Sequence, residues 1–400
     1  MIIKIHKNIN LTRVENLYKQ LEIGISIKAK IDILFPIELT VNYLGITPAL
    51  IQFISTWIRY NKSGKLMLDL VKPDSEKIIN LYKNEFIFPI AGLVWNHNGI
   101  FDREGNNLRN LLSESQNKVF AKMKRVEAYR GEKLLLTNLD HLPKENGILP
   151  CFEKNGLFVS NESDLMESLK DTLENEVFRN YFESRLEFKK IEIELIGIIH
   201  ELMKNTFEWA RDDQNGVPFE TNIRGLLVKH NKKTRSALIK ENKDIKAIIE
   251  YFNSSLFKEN NLQQIRFLEI SVFDSGAGFV NKFRSSNKNY ENSNDVDIIK
   301  RCLIKHNTIA KSLDKDEKGL GLDRILKILN GKGFLRIRTG TKSLYRNLIN
   351  DQYKNVESNS TEQMILFDWI LNDNNKYSDI SNVSGSVITI IYPLSINQSL

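Results

Sequence analysis

Cysteine is almost absent: Cys151 and Cys302 are the only two in 400 residues. Two such thiols build no disulfide framework, and no CxxC pair offers a metal-binding turn, so a reducing, cytoplasmic setting is expected. Long apolar runs are missing as well. Residues 1–8 alternate apolar side chains with Lys and His and hold no signal-peptide core. The most apolar stretch, 31–58, is interrupted by Asp32, Pro36, Glu38, Asn42 and Gln52, so a bilayer span is too costly and no membrane association is expected. The net charge of +7 comes without any basic run interleaved with aromatics. It reads as a solvated basic surface, and nucleic-acid binding is not supported. The phosphate loop GxxxxGK[ST] is absent, and no internal repeat is evident.

What is present is an ordinary globular composition, 41% hydrophobic and 27% charged, in a chain too long for one typical core. Residues 33–44 read as extended. Residues 48–60 read as a helix, because Leu50, Ile51, Ile54, Trp57 and Ile58 recur at helical spacing; Gly64 then breaks it and 65–71 read as a buried strand. This order predicts a small α/β N-terminal domain over 1–140. It is similar, over 33–71 alone, to the sulfate-transporter/anti-sigma-antagonist (STAS) fold. The loop in which such a domain carries its phosphorylatable serine reads Gly45-Ile46-Thr47-Pro48 here.

Residues 106–158, punctuated by Pro143, Gly147, Pro150 and Gly156, read as a connection with short elements. From 163 to 210 the pattern is helical, with no proline and one glycine, Gly197. That is too long for one globular helix, so two helices or a helical hairpin are expected, with 141–184 as a helical connector.

Four patterns then carry chemistry. In the first, Glu201, Asn205 and Glu208 stand at i, i+4 and i+7, on one stripe of a helix. A carboxylate and a carboxamide one turn apart suit a magnesium nucleotide: the Asn205 oxygen can ligate Mg²⁺ and Glu201 can polarise a water. A solvated helix face has the same spacing. In the second, an apolar strand, 267–273, delivers Asp274, Gly276 and Gly278 onto a turn. Asp274 can accept from an adenine amine, and the glycines let backbone approach a base. A plain Asp-Ser-Gly turn is the alternative. The third is Lys318-Gly319-Leu320-Gly321-Leu322 ahead of a helix over 323–330, whose free N–H groups and dipole favour phosphate. The fourth is Gly385-Ser386 entering a last strand that ends in Pro393-Leu394.

Taken in this order, the four resemble the N, G1, G2 and final glycine boxes of the GHKL (Bergerat-fold) ATPases, the superfamily of gyrase, chaperone, histidine kinase and mismatch-repair ATPases. The resemblance covers residues 185–396. It implies an α/β sandwich, a mixed sheet covered by helices, that binds ATP and Mg²⁺. Position by position it implies Glu201 as general base, Asn205 as Mg²⁺ ligand and Asp274 as adenine reader. Gly276 and Gly278 would shape the base pocket, and Lys318, Gly319, Leu320, Gly321 and Leu322 would cradle phosphate. Ser386 or Thr389 would support adenine through water, and residues 280–317 would form a flexible lid.

The pattern departs from the family in three places. The segment 210–266 adds a strand (223–228) and a helix (234–256), and a second insertion spans 341–383. The last strand lies close to the end of the sequence, so a transducer domain supplying a γ-phosphate lysine is not expected. The leading expectation is a slow Mg-dependent ATPase acting as a nucleotide-driven switch, read out to a protein partner by the N-terminal domain. A serine/threonine kinase of the anti-sigma kind and a non-hydrolysing ATP-binding module are the alternatives. A histidine kinase is disfavoured: no histidine lies between His141 and His200, and His200 abuts Glu201 and reads as a packing residue. The superfamily often works as dimers, which makes 163–190 a candidate homodimer face.

Overall fold

The structure is a computed structural model and describes residues 1–41, 43–96, 98–159, 162–304, 321–356 and 360–396. The chain first forms β1 (Ile2–Lys4), α1 (Leu11–Ser26), β2 (Asp32–Phe35), α2 (Ile46–Tyr60), β3 (Leu66–Leu68), α3 (Ser75–Leu81), α4 (Ile87–Val94) and β4 (Ile100–Phe101). The four strands make a parallel sheet in sequence order, and the intervening helices supply the crossovers that parallel pairing requires. The strand expected over 33–44 stops at Phe35, before Pro36, which has no N–H to donate.

Helix α2 is buried along its whole length from Ile46 to Ile58. A helix apolar on every side must be covered on every side. It packs on α1 and α4 to one side and on two strands of a second, larger sheet to the other.

That sheet draws on most of the remaining chain: α5 (Arg109–Lys124), β5 (Lys133–Leu139), α6 (Lys144–Gly147), the hairpin β6 (Glu153–Lys154) and β7 (Leu157–Phe158), α7 (Glu162–Thr172), a π turn (Leu173–Val177), α8 (Phe182–Lys189), α9 (Glu192–Trp209), β8 (Ile223–Thr234), α10 (Arg235–Glu241), α11 (Lys246–Phe252), β9 (Gln264–Asp274), α12 (Phe279–Ser286), α13 (Asp295–Leu303), α14 (Gly321–Leu329), β10 (Phe334–Gly340), β11 (Lys342–Asn347), β12 (Phe367–Asp368) and β13 (Val383–Pro393). Its order is β12-β11-β10-β13-β9-β8-β5.

The protein is therefore α/β, with several departures from expectation. The larger sheet is not mixed: every neighbouring pair is antiparallel. Strands β9 and β10 run the same way, but β13 lies between them and pairs antiparallel with both. Residues 133–139, assigned from sequence to the N-terminal domain, are the edge strand of this sheet, so the boundary near 140 does not separate two sheets. The insertion 341–383 supplies β11 and β12 at the other edge. Residues 163–210 form three helices and a π turn, and 234–256 form two short helices. The described part of the expected lid, 280–304, is largely helical. In α13 the polar stretch hides Val296, Ile298, Ile299 and Leu303, which pack inward.

Candidate functional site

An open cleft of about 980 Å³, mouth included, lies between α9, the strands β9 and β13, and the helices that follow β9. Glu201, Asn205, Thr206 and Trp209 of α9 line it, with Asp274 at the end of β9, Gly278 beyond it, Leu322 of α14 and Ser386 of β13. Four separated stretches of sequence thus meet in one cavity. Glu208 does not line it. At about 100° per residue, the α9 positions that face the cleft centre roughly 90° away from Glu208.

The Asp274 turn is fixed by backbone contacts. Gly276 N donates to Asp274 Oδ1 at 2.8 Å, and Gly276 O accepts from Gly385 N at 2.8 Å. Gly276 does not itself line the cleft, contrary to its expected role. A Cβ there would stand 2.5 Å from Ala210 Cα, so glycine is needed where the turn meets the end of α9. At Gly385, φ is +69° and a Cβ would stand 2.0 Å from Asp274 O. The final glycine therefore lets the last strand cross directly behind the aspartate.

Strand alternation separates the two polar candidates on β13. Ser386 and Ile388 face the cleft, whereas Thr389 points to the opposite face of the sheet. There Thr389 Oγ1 lies 3.1 Å from Ser271 Oγ and beside Gly45 of the N-terminal unit. Thr389 is thus removed from the site. Ser386 Oγ lies 2.9 Å from Thr339 Oγ1. Lys318, Gly319 and Leu320 lie outside the described residues; Gly321 opens α14.

Sequence reasoning missed several cleft residues. Phe279 and Lys282 of α12 line it, as do Trp209, Cys302, Val272 and Ile388. Lys282 Nζ donates to Asp213 O at 3.4 Å. The Gly278-Phe279 step out of the second box was the available signal for α12, since a helix starting there brings Lys282 back over the cleft.

Comparisons with protein-family models, with curated proteins and with solved structures find no match to the chain.

The electrostatics set the protonation of two acids. Burial pushes the Asp274 carboxyl up to about 6, against the amides of Gly276 and Ser386 and the charges of Arg224 and Arg59, which favour the ionised form. Arg224 pairs with Asp274 in the β8–β9 register and is itself fully buried, with Nε 2.8 Å from Asp140 Oδ2 and Nη2 2.6 Å from Glu153 Oε1. Glu201 is held below the ordinary carboxylate range, chiefly by His200. Burial pushes the Cys302 thiol up to about 12, which leaves it a neutral part of the wall.

Among the described residues no cluster of three or more His, Cys, Asp or Glu side chains can hold a metal. Asn205 and Glu201 offer oxygen donors on one face of α9. That set fits Mg²⁺ carried in by a nucleotide, since this ion keeps most of its ligands as phosphate and water oxygens.

The segment Gly45-Ile46-Thr47-Pro48, read from sequence as a loop, caps and opens helix α2. Thr47 is fully buried; its hydroxyl donates to Glu85 Oε1 at 3.0 Å and accepts from Lys229 Nζ at 3.3 Å. A hydroxyl enclosed in this way offers no access to a kinase. No helix among the described residues is long and apolar enough to cross a membrane.

Proposed function

We propose that this protein binds Mg-ATP in the cleft between α9, β9 and β13, as a GHKL-type nucleotide switch with slow hydrolysis. The carrying observation is the meeting of Glu201, Asn205, Asp274, Gly278, Leu322 and Ser386 around one cavity. In this reading Asp274 accepts from the adenine amine, with Ser386 beside it. Asn205 holds the metal, which neutralises phosphate charge. Glu201 takes the proton from the attacking water, and Phe279 and Trp209 shield the site.

Purified protein incubated with γ-labelled ATP tests the reading. Free labelled phosphate, released slowly and only with Mg²⁺, is the expected outcome. Labelled protein would replace it with a kinase, and binding without either product with a regulatory module. Failure to bind ATP at all would remove the reading.

A further inference from the structure

The Asp274-Ser275-Gly276 turn is held from within the large sheet by four hydrogen bonds, one of them from Ser275 N to Ile223 O at 3.0 Å. Ser275 Oγ donates to Asn222 Oδ1 at 2.6 Å and accepts from Ile223 N at 3.0 Å, and Gly385 N reaches Gly276 O. The Ser275 carbonyl is gripped from elsewhere. It accepts from Arg59 Nη2 at 2.6 Å, and Arg59 stands in the last turn of α2, a helix of the N-terminal unit. The Arg59 guanidinium also stacks on Phe219, 3.5 Å from the ring centroid. Phe219 belongs to the segment that follows α9, so the guanidinium is clamped between that segment and the Asp274 turn. Burial pulls its pKa down to about 10, which leaves it cationic at neutral pH.

Arg59 does not act alone. Gln52, Thr56 and Arg59 lie at i, i+4 and i+7, one stripe of α2. Gln52 Nε2 donates to Arg338 O at 3.3 Å and Ser384 O at 3.4 Å, and Thr56 Oγ1 accepts from Ser384 N at 3.0 Å. One face of one N-terminal helix therefore holds the backbone just before Gly385-Ser386 and the backbone just after Asp274. Both segments shape the proposed nucleotide cleft.

We propose that Arg59 is a positioning residue for the nucleotide site, fixing the Asp274 turn so that nucleotide affinity depends on the seating of α2. The inference rests on the nucleotide reading above and adds to it a route. Anything that shifts the N-terminal unit against the large sheet changes the hold on nucleotide, and by linkage nucleotide changes that seating. The charges acting on Asp274 are Arg59 on α2 and Arg224 on β8, with Glu201 on α9 and Lys282 on α12 lining the same cleft; Asp213, after α9, acts on Arg59, and the β13 residues facing the cleft, Ser386 and Ile388, are neutral. Loss of the Arg59 charge thus acts on Asp274 in one direction, toward the protonated form.

The test is calorimetric titration of the full chain with ADP between roughly pH 5 and 8, alongside thermal melting. Arg59→Met is expected to weaken ADP roughly five- to tenfold and to move the acid limb of binding to higher pH. Arg59→Lys keeps the charge and restores the acid limb, but regains affinity only in part, because a lysine lacks the planar fork that stacks on Phe219. A folded Arg59→Met protein with lower melting temperature but unchanged ADP affinity and acid limb would overturn the inference. Should Arg59→Met fail to fold, hydrogen exchange on the wild type decides. ADP must slow exchange in the last turn of α2 and in residues 219–222, and unchanged exchange there overturns the inference. Wild type that binds no ADP removes the nucleotide reading itself, a result visible before any variant is made.

Discussion

His200 Nδ1 stands 3.9 Å from Glu201 Oε1, two consecutive residues of α9 whose side chains form an ion pair at the edge of the cleft. His200 is buried, edge-on to Phe158 at 5.2 Å between ring centroids, and its Nε2 lies 2.9 Å from Val159 O. That carbonyl takes the proton on Nε2, so Nδ1 faces the carboxylate. Burial opposes the charge on His200, but Glu201 and the Val159 carbonyl outweigh it and hold its pKa above the ordinary value. The residue read from sequence as packing is also the partner of the proposed general base.

His200→Gln should therefore leave ADP affinity unchanged and move the acid limb of phosphate release to higher pH, as Glu201 returns toward its ordinary value. Stability should follow the same pair. A histidine whose folded pKa is raised contributes stability that is full below its unfolded pKa, 6.5, and lost as pH rises through the folded value. The gap between wild-type and His200→Gln urea midpoints should narrow as the pH is raised above that range. A constant gap would dissolve the ion pair.

Asp274→Asn should abolish nucleotide binding without loss of fold. An amide can present NH₂ where adenine also presents NH₂, and the lost charged hydrogen bond is worth about 1.5–3 kcal/mol or more. Because burial raises the Asp274 pKa from 3.8 to about 6, stability falls between those two values and the full cost stands above about 6. The sign is that of a raised acid: its favourable contribution is present at low pH and lost as pH climbs through the folded value. Asp274→Asn should consequently melt no lower than wild type above neutral pH. Titration calorimetry and melting on one sample check both halves.

Glu201 and Asn205 should separate chemistry from binding. Glu201→Ala should keep Mg-ATP affinity and lose turnover by about 10²–10⁴-fold, the usual contribution of a positioned general base. Asn205→Ala should instead lose the magnesium dependence of binding. Wild-type phosphate release by Glu201→Ala would remove the base assignment while leaving Asn205 untouched.

The contact between the N-terminal unit and the large sheet should be acid-sensitive. Lys229 Nζ lies 2.8 Å from Glu85 Oε1 and Lys133 Nζ 2.9 Å from Glu85 Oε2, with Lys229 almost wholly buried. Burial alone would raise the Glu85 carboxyl; the two lysines outweigh it and hold it well below the ordinary range. Its stabilisation is present above the unfolded carboxylate pKa and lost as pH falls through the folded one. Glu85→Ala takes away the nearer of the two carboxylates that offset the buried Lys229 charge, leaving Glu269 opposite it on β9, and should cost up to about 3–5 kcal/mol at neutral pH, less in acid. Urea unfolding at several pH values measures it.

The local parts of the site were legible because they depend on neighbours in sequence. A helix through Glu201 and Asn205, a strand ending at Asp274, a helix opening near Gly321 and a last strand from the Gly385 region all follow from apolar period and glycine position. The α/β class and a helix over 48–60 followed in the same way, whereas the burial of that helix on every side did not.

What depended on distant chain was not legible. Whether Ser386 or Thr389 faces the cleft turns on the register and bulge of β13 against β10, which shift between Thr339 and Gly340. Gly276 is set by the end of α9, far off in sequence, and Glu208 by which side of that helix the sheet covers. Residues 133–139 read as part of a connection because nothing local says that β8, some ninety positions later, will pair with them. The amino-acid sequence alone therefore determined the elements and the chemistry each can carry. Only the tertiary structure decided which side chains share the cleft, because facing is set by packing between segments that sequence period does not connect.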